Sequence, residues 1–168
     1  MLKLSVTEGV AYPTGWHIVT ISDATDGDFD GTRWIDLHFK GLPDNLKTRV
    51  WSAVNAETGE DFGIGNLFYY ANAGLTVGND GQLTIDDSVT HLKGKTLNIL
   101  FYENENGFTD GAQRVVPVVR EGFNEAYVQK LKVKTETWVS NRGGTWATSG
   151  TNGTTTTTTV KKDEAVPF

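Results

Sequence analysis

Three observations predict an all-β domain with small α content: a five-stranded barrel carrying one short helix between its third and fourth strands, followed by a disordered C-terminal tail. The 168 residues are 38% hydrophobic and 11% aromatic and include 19 glycines, a composition that suits strands and tight turns better than a helical bundle. Apolar and polar residues alternate at period two in several separate runs, the pattern of strands with one buried face. From Gly143 onward Gly and Thr dominate, leaving too few apolar side chains to offset the entropy of ordering. The expected division is therefore a folded domain with a C-terminal arm over residues 1–142 and a flexible linker with a charged tip over 143–168.

A body of this size can bury a core without metals or disulfides. The absence of cysteine removes a disulfide framework, a thiol nucleophile and a zinc ribbon. The opening MLKLSVTEGVAYPTGW has no apolar run long enough for a signal peptide or a membrane span, so a cytoplasmic location with no membrane partner is expected.

Within residues 1–11, LKLSV offers only a weak leading strand. Pro13 and Gly15 mark a turn, and WHIVTIS (16–22) is the first strand. ATDGDFDGT (24–32) reads as a solvated turn; its DGDFDG resembles a calcium loop but lacks the twelve-residue spacing, the closing Glu and the flanking helices. Strands two (32–40) and three (47–55) form a hairpin around GLPDNL, whose Gly, Pro, Asp and Asn are turn residues. Asn66–Ala73 reads as a helix stopped by Gly74 in a left-handed cap. Asn79-Asp80-Gly81 is a turn, and LTIDDSVTHLKGK a connector. KTLNILFYEN (95–104) is strand four, with Leu97, Ile99 and Phe101 alternating against Asn98, Leu100 and Tyr102. AQRVVPVVRE (112–121) is strand five, held to an edge or a bulge by Pro117, which cannot donate to a ladder. In NEAYVQKLKVKTETWVSN, Leu131 and Val133 alternate with Lys130, Lys132 and Lys134, predicting a sixth strand or an extended arm with a basic stripe.

The hairpin is the most informative stretch. Ile35, Leu37 and Phe39 share one face of its first strand, while Trp34, Asp36, His38 and Lys40 share the other; in the second strand Lys47, Arg49 and Trp51 lie together. An indole on the side away from the aliphatic residues either packs in a core or stacks on a ligand. The net charge is −6, which argues against a surface uniformly built for phosphate but not against a local basic patch.

Five strands with a helix between the third and fourth is the element order of the OB-fold, which binds oligonucleotides on strands two and three. The runs GWHIVTISDA, RWIDLHFKG, KTRVWSAVNAETGE, NLFYYANAGL, LKGKTLNILFYENENG and AQRVVPV resemble phage-encoded single-stranded DNA-binding proteins of this type, over roughly residues 12–120. The end, DEAVPF, resembles the acidic Pro-Phe tip of bacterial single-stranded DNA-binding proteins, though with only Asp163 and Glu164 and with Lys161 and Lys162 before them. The resemblance implies single-stranded DNA binding without sequence preference in replication, recombination or repair, with host-cytoplasmic residence if the protein is viral. Stacking then falls to Trp34 and Trp51, with Tyr102 third and Tyr69 or Tyr70 fourth, and phosphate contacts to Lys40, Lys47, Arg49, Arg114 and Arg120, with His38 as a further DNA-binding residue. Asp163, Glu164, Val166, Pro167 and Phe168 would recruit replication or recombination proteins. Self-association into a homo-oligomer stays open.

Neither a nucleophile elbow, a phosphate loop nor an HExxH pattern is present, so no enzyme activity is expected. His17, His38 and His91 lack metal-ligand spacing, and no metal or cofactor is expected. The rival expectation is a phage structural or carbohydrate-binding β-domain whose exposed Trp residues stack on sugars.

Overall fold

Trp16 to Ile21 carries the apolar, β-branched character of a buried strand, and in the computed structural model, which describes residues 12–147, it opens a strand far longer than that run. This is β1 (Gly15–Phe29), followed by β2 (Thr32–Phe39), β3 (Thr48–Trp51), α1 (Ile64–Ala71), β4 (Leu75–Val77), β5 (Leu83–Ile85), a 3-10 turn at Val89–Leu92, β6 (Thr96–Glu103), β7 (Thr109–Gly111) and α2 (Glu125–Ser140). The five strands β3-β2-β1-β6-β7 form one antiparallel sheet in that order, and β4-β5 form a separate hairpin.

One strand serves two neighbours. The first part of β1 pairs with β6, from Gly15 opposite Phe101 to Thr20 opposite Thr96. The remainder pairs with β2, from Ile21 opposite Phe39 to Phe29 opposite Thr32, with a register break between Ile21 and Asp23. Such an irregularity bends a strand and adds twist, and here it curls the sheet into a nearly closed barrel. β3 and β7 meet across the remaining seam, where Gly111 lies so close to Thr48 that a Cβ on the glycine would collide with the threonine hydroxyl. A glycine is required there by close approach rather than by backbone angle.

The barrel is filled by Ile21, Ile35, Leu37, Leu97, Ile99 and Phe101, each fully buried. α1 closes it with Ile64, Leu67, Phe68 and Ala71. The Asp61 carboxylate starts that helix by accepting from the Gly63 and Ile64 amides and from Ser52 Oγ. Burial opposes ionisation of Asp61, but those hydrogen bonds and one from the Ala53 amide outweigh it and hold the carboxyl below its usual range. The helix stops at Asn72, in left-handed conformation with φ 59°, two residues before Gly74; asparagine is the usual second choice for that cap.

Three expectations are corrected. The solvated turn at 24–32 is the outer arm of the β1–β2 hairpin, and only Asp30 and Gly31 turn, both at positive φ. Strand five is not 112–121. Its sheet position is taken by the three residues of β7, and Val116 makes only an isolated bridge to Asn98. Asn98 Nδ2 also donates to the Pro117 carbonyl, 2.9 Å away.

The third correction is the largest: the expected sixth strand or arm is the helix α2. Asn124 caps it by accepting from the Tyr127 amide, and Val128, Thr135 and Val139 form its buried side. Leu100, Ala112, Val139 and Trp146 make a second core between α2 and the outer face of β6, so β6 is buried on both faces rather than one. Each fully buried aliphatic side chain contributes about 1.5 to 3 kcal/mol, enough to make α2 an integral wall. Thr145, beyond the expected boundary at 142/143, pairs with Glu103.

Candidate nucleic-acid interface

The short ladder between β2 and β3 places Trp34 directly opposite Trp51 and Asp36 directly opposite Arg49. Directly opposed residues share a face, so both indoles and the guanidinium come to one surface. Arg49 Nε and Nη2 donate to the two Asp36 oxygens at 2.7 and 2.9 Å, and Lys47 Nζ donates to Oδ2 at 3.1 Å. The Arg49 guanidinium carbon lies 3.9 Å from the centre of the Trp34 ring and 5.8 Å from that of Trp51, within cation-π range of both. Burial opposes the charge on Asp36, but the hydrogen bonds from Arg49 and Lys47 prevail and hold its carboxyl below the usual value. The same carboxylate, through its hydrogen bonds, raises the Arg49 pKa. Asp36 thus holds a planar cation within reach of two indoles.

Beside this wall lies a cleft of about 370 Å³ bounded by Lys47, Arg49 and Trp51 of the β3 segment, by Tyr102, Asp110, Gly111 and Gln113, and by Trp138 of α2. Trp138 has its own cations, with the Arg142 guanidinium 3.8 Å from its ring centre and that of Arg114 at 5.5 Å. Burial, reinforced by the Asp110 charge and opposed by Arg142, raises the pKa of the Tyr102 phenol. The cleft therefore combines aromatic rings from three elements with Lys47, Arg49 and Asp110 in its lining, with Asp36 bonded behind the two cations and Arg114 and Arg142 set against the Trp138 ring. Such a surface offers rings to planar groups and net positive charge to an anion.

Of the residues singled out in the sequence, Lys47, Arg49, Trp51 and Tyr102 line the cleft; Trp34 joins it through Arg49, and Arg114 through Trp138. His38 sits further along β2, opposite Asp23. Lys40 borders a separate groove with His17, Ile18 and Leu42. Tyr70 and Arg120 are elsewhere. Arg120 donates to the carbonyls of Tyr69 and Tyr70, at the end of α1, and lies over Phe123 at 4.5 Å. Tyr70 packs edge-on against Phe123, and burial together with a hydrogen bond to Tyr127 raises its pKa. Asp163, Glu164, Val166, Pro167 and Phe168 lie outside the described residues.

Sequence reasoning missed Trp138. The signal was present: Val128, Leu131, Thr135 and Val139 recur at three- and four-residue spacing behind an asparagine cap, a helical pattern masked by the local Lys/Val alternation. Among the described residues no group of three His, Asp or Glu side chains could hold a metal, and no helix is long and apolar enough to cross a membrane. Comparison with protein-family models and with curated proteins finds no match.

Proposed function

We propose that this protein binds single-stranded DNA without sequence preference, protecting it during replication, recombination or repair. The observation that carries this is the cleft in which Trp51, Tyr102 and Trp138 stand among Lys47, Arg49, Arg114 and Arg142. Unpaired bases stack on aromatic rings at about 1 to 3 kcal/mol each, whatever the base, while cations follow the phosphates. Paired bases present no free faces, so the same chemistry favours single strands. The barrel resembles an OB-fold, and its β2–β3 surface is the one that fold uses for oligonucleotides. His38, Lys40, Tyr70 and Arg120, lying away from the cleft, drop behind Trp51, Trp138, Tyr102 and Arg49 as contacts. The end of the chain, DEAVPF, is proposed to recruit replication or recombination proteins.

The test is a titration of Trp emission with oligo-dT and with duplex DNA over a series of salt concentrations. The expected result is quenching by oligo-dT, weaker binding of duplex, and a log-log salt slope of about −0.7 per phosphate engaged. Emission unchanged by oligo-dT at low salt would sink the proposal. Removal of Val166 to Phe168 should leave this titration unaltered and abolish co-purification of partner proteins.

A further inference from the structure

α2 is not part of the five-stranded barrel, yet it supplies one wall of the cleft, and its charges are sorted around its axis. Lys130, Lys134, Trp138 and Arg142 recur every four residues, a spacing that makes each the neighbour of the next while the row winds slowly around the helix at 3.6 residues per turn; Arg142 follows just past the helix end. The other flank is committed to the barrel. There Glu136 accepts a hydrogen bond of 2.8 Å from Trp16 Nε1, and Lys132 lies over the same indole at 5.3 Å. Lys130 and Lys134 are exposed and form no ion pair among the described residues. The row that leads away from the cleft at Trp138 thus carries Lys134 and Lys130 with no acidic side chain in it, while Glu136, the acidic residue of this stretch, is turned to Trp16 and used in docking.

We infer that α2 extends the binding site beyond the barrel: a single strand leaving the cleft at Trp138 runs along the helix with its phosphates on Lys134 and Lys130. Four residues of helix advance about 6 Å, comparable to the spacing of phosphates in an extended strand, so consecutive lysines meet consecutive anions. This rests on the cleft being the DNA site, and it divides that site into a stacking part on the barrel and a purely electrostatic part on the helix. The stacking part holds a short oligonucleotide. The helical part is engaged only by a longer one.

The experiment compares the full-length protein with a K130Q/K134Q variant and with a K93Q/K95Q variant of equal net charge, using oligo-dT of about 5 and about 15 nucleotides, lengths within the range of one such barrel. On the longer oligonucleotide K130Q/K134Q should flatten the salt slope by about 1.4, two phosphates at roughly 0.7 each. Its affinity for the shorter one should not change, and K93Q/K95Q should resemble the parent on both. An unchanged slope for K130Q/K134Q, in a parent that binds both oligonucleotides, overturns the helical path while leaving the cleft in place. Equal losses on both lengths, or equal losses in the two variants, overturn it as well, because the lysines would then act through the cleft or through net charge. A parent that binds neither oligonucleotide removes the cleft reading and the path together.

Discussion

Two regions of this molecule combine an arginine with several aromatic rings, and they are built in different ways. At the β2–β3 surface Arg49 lies over Trp34 and near Trp51, clamped by Asp36, and beside it is a cleft that Tyr102 and Trp138 also line. Where α1 ends near the start of α2, Arg120 lies over Phe123, which meets Tyr69 and Tyr70 edge-on and stacks on Tyr127 at 5.8 Å. Arg120 spends its donors on the carbonyls at the end of α1, and Phe123 is 3% exposed. The rings of the second region take one another as partners and bury Phe123 among them, while Tyr69 and Tyr127 stay exposed on their outer sides. In the first region Trp51, Tyr102 and Trp138 border a cleft, while Trp34 is covered by Arg49 and packs on Gly27. Residue type alone does not distinguish a cleft wall from a staple; what the cation is bonded to, and whether a cleft adjoins the rings, does.

The sharpest way to break this comparison is to truncate one ring in each region. Phe123→Ala should cost about 3 to 5 kcal/mol of stability, the usual loss for a buried phenylalanine, read as a drop in the urea midpoint, with oligo-dT affinity at low temperature retained. Trp51→Ala should do the reverse, costing about 1 to 3 kcal/mol of binding and leaving the urea midpoint nearly where it was. If Trp51→Ala unfolds the protein while Phe123→Ala weakens binding, the two regions have been assigned the wrong way round.

A smaller effect sharpens the role of the clamp. Asp36→Asn removes charge-assisted hydrogen bonds from a carboxylate that is 4% exposed, at a cost of about 1.5 to 3 kcal/mol near neutral pH. Because the folded state holds the Asp36 carboxyl below its usual range, its contribution is complete above the unfolded value of about 4 and is lost as pH falls through the folded one. The stability gap between parent and variant, followed by thermal melting, should therefore be constant above about pH 5 and close in stronger acid. A gap that persists in acid would show that the charge on Asp36 is not what holds Arg49.

The β2–β3 surface was legible because it depends on local alternation. Trp34, Asp36, Arg49 and Trp51 fall on one side of their strands by period alone, and a four-residue ladder then sets them in pairs. Trp138 was not legible, because Leu131 and Val133 between lysines satisfy a strand pattern as well as a helical one, and only docking of Val139 against Leu100 and Trp146 settles the choice. The Asp- and Gly-rich 24–32 segment was read as a turn for a related reason. An exposed hairpin arm needs no apolar side chains, and its order comes from backbone pairing with β2. The apolar residues of 112–121, expected as strand five, are buried by packing rather than by a ladder, Val115 in the barrel core and Ala112 and Val116 against α2, and Thr135 Oγ1 ties the helix to the Arg114 carbonyl at 3.0 Å.

By itself the sequence determined the β-rich barrel, the helix after the third strand, and the face that carries Trp34, Arg49 and Trp51, because periodicity and turn chemistry act within a few residues. Only the tertiary structure decided that Arg120 is a staple, that Gly111 closes the seam against Thr48, and that α2 brings Trp138 to the cleft. Those outcomes depend on contacts between residues far apart in the chain, where the partner, rather than the residue type, fixes what a side chain does.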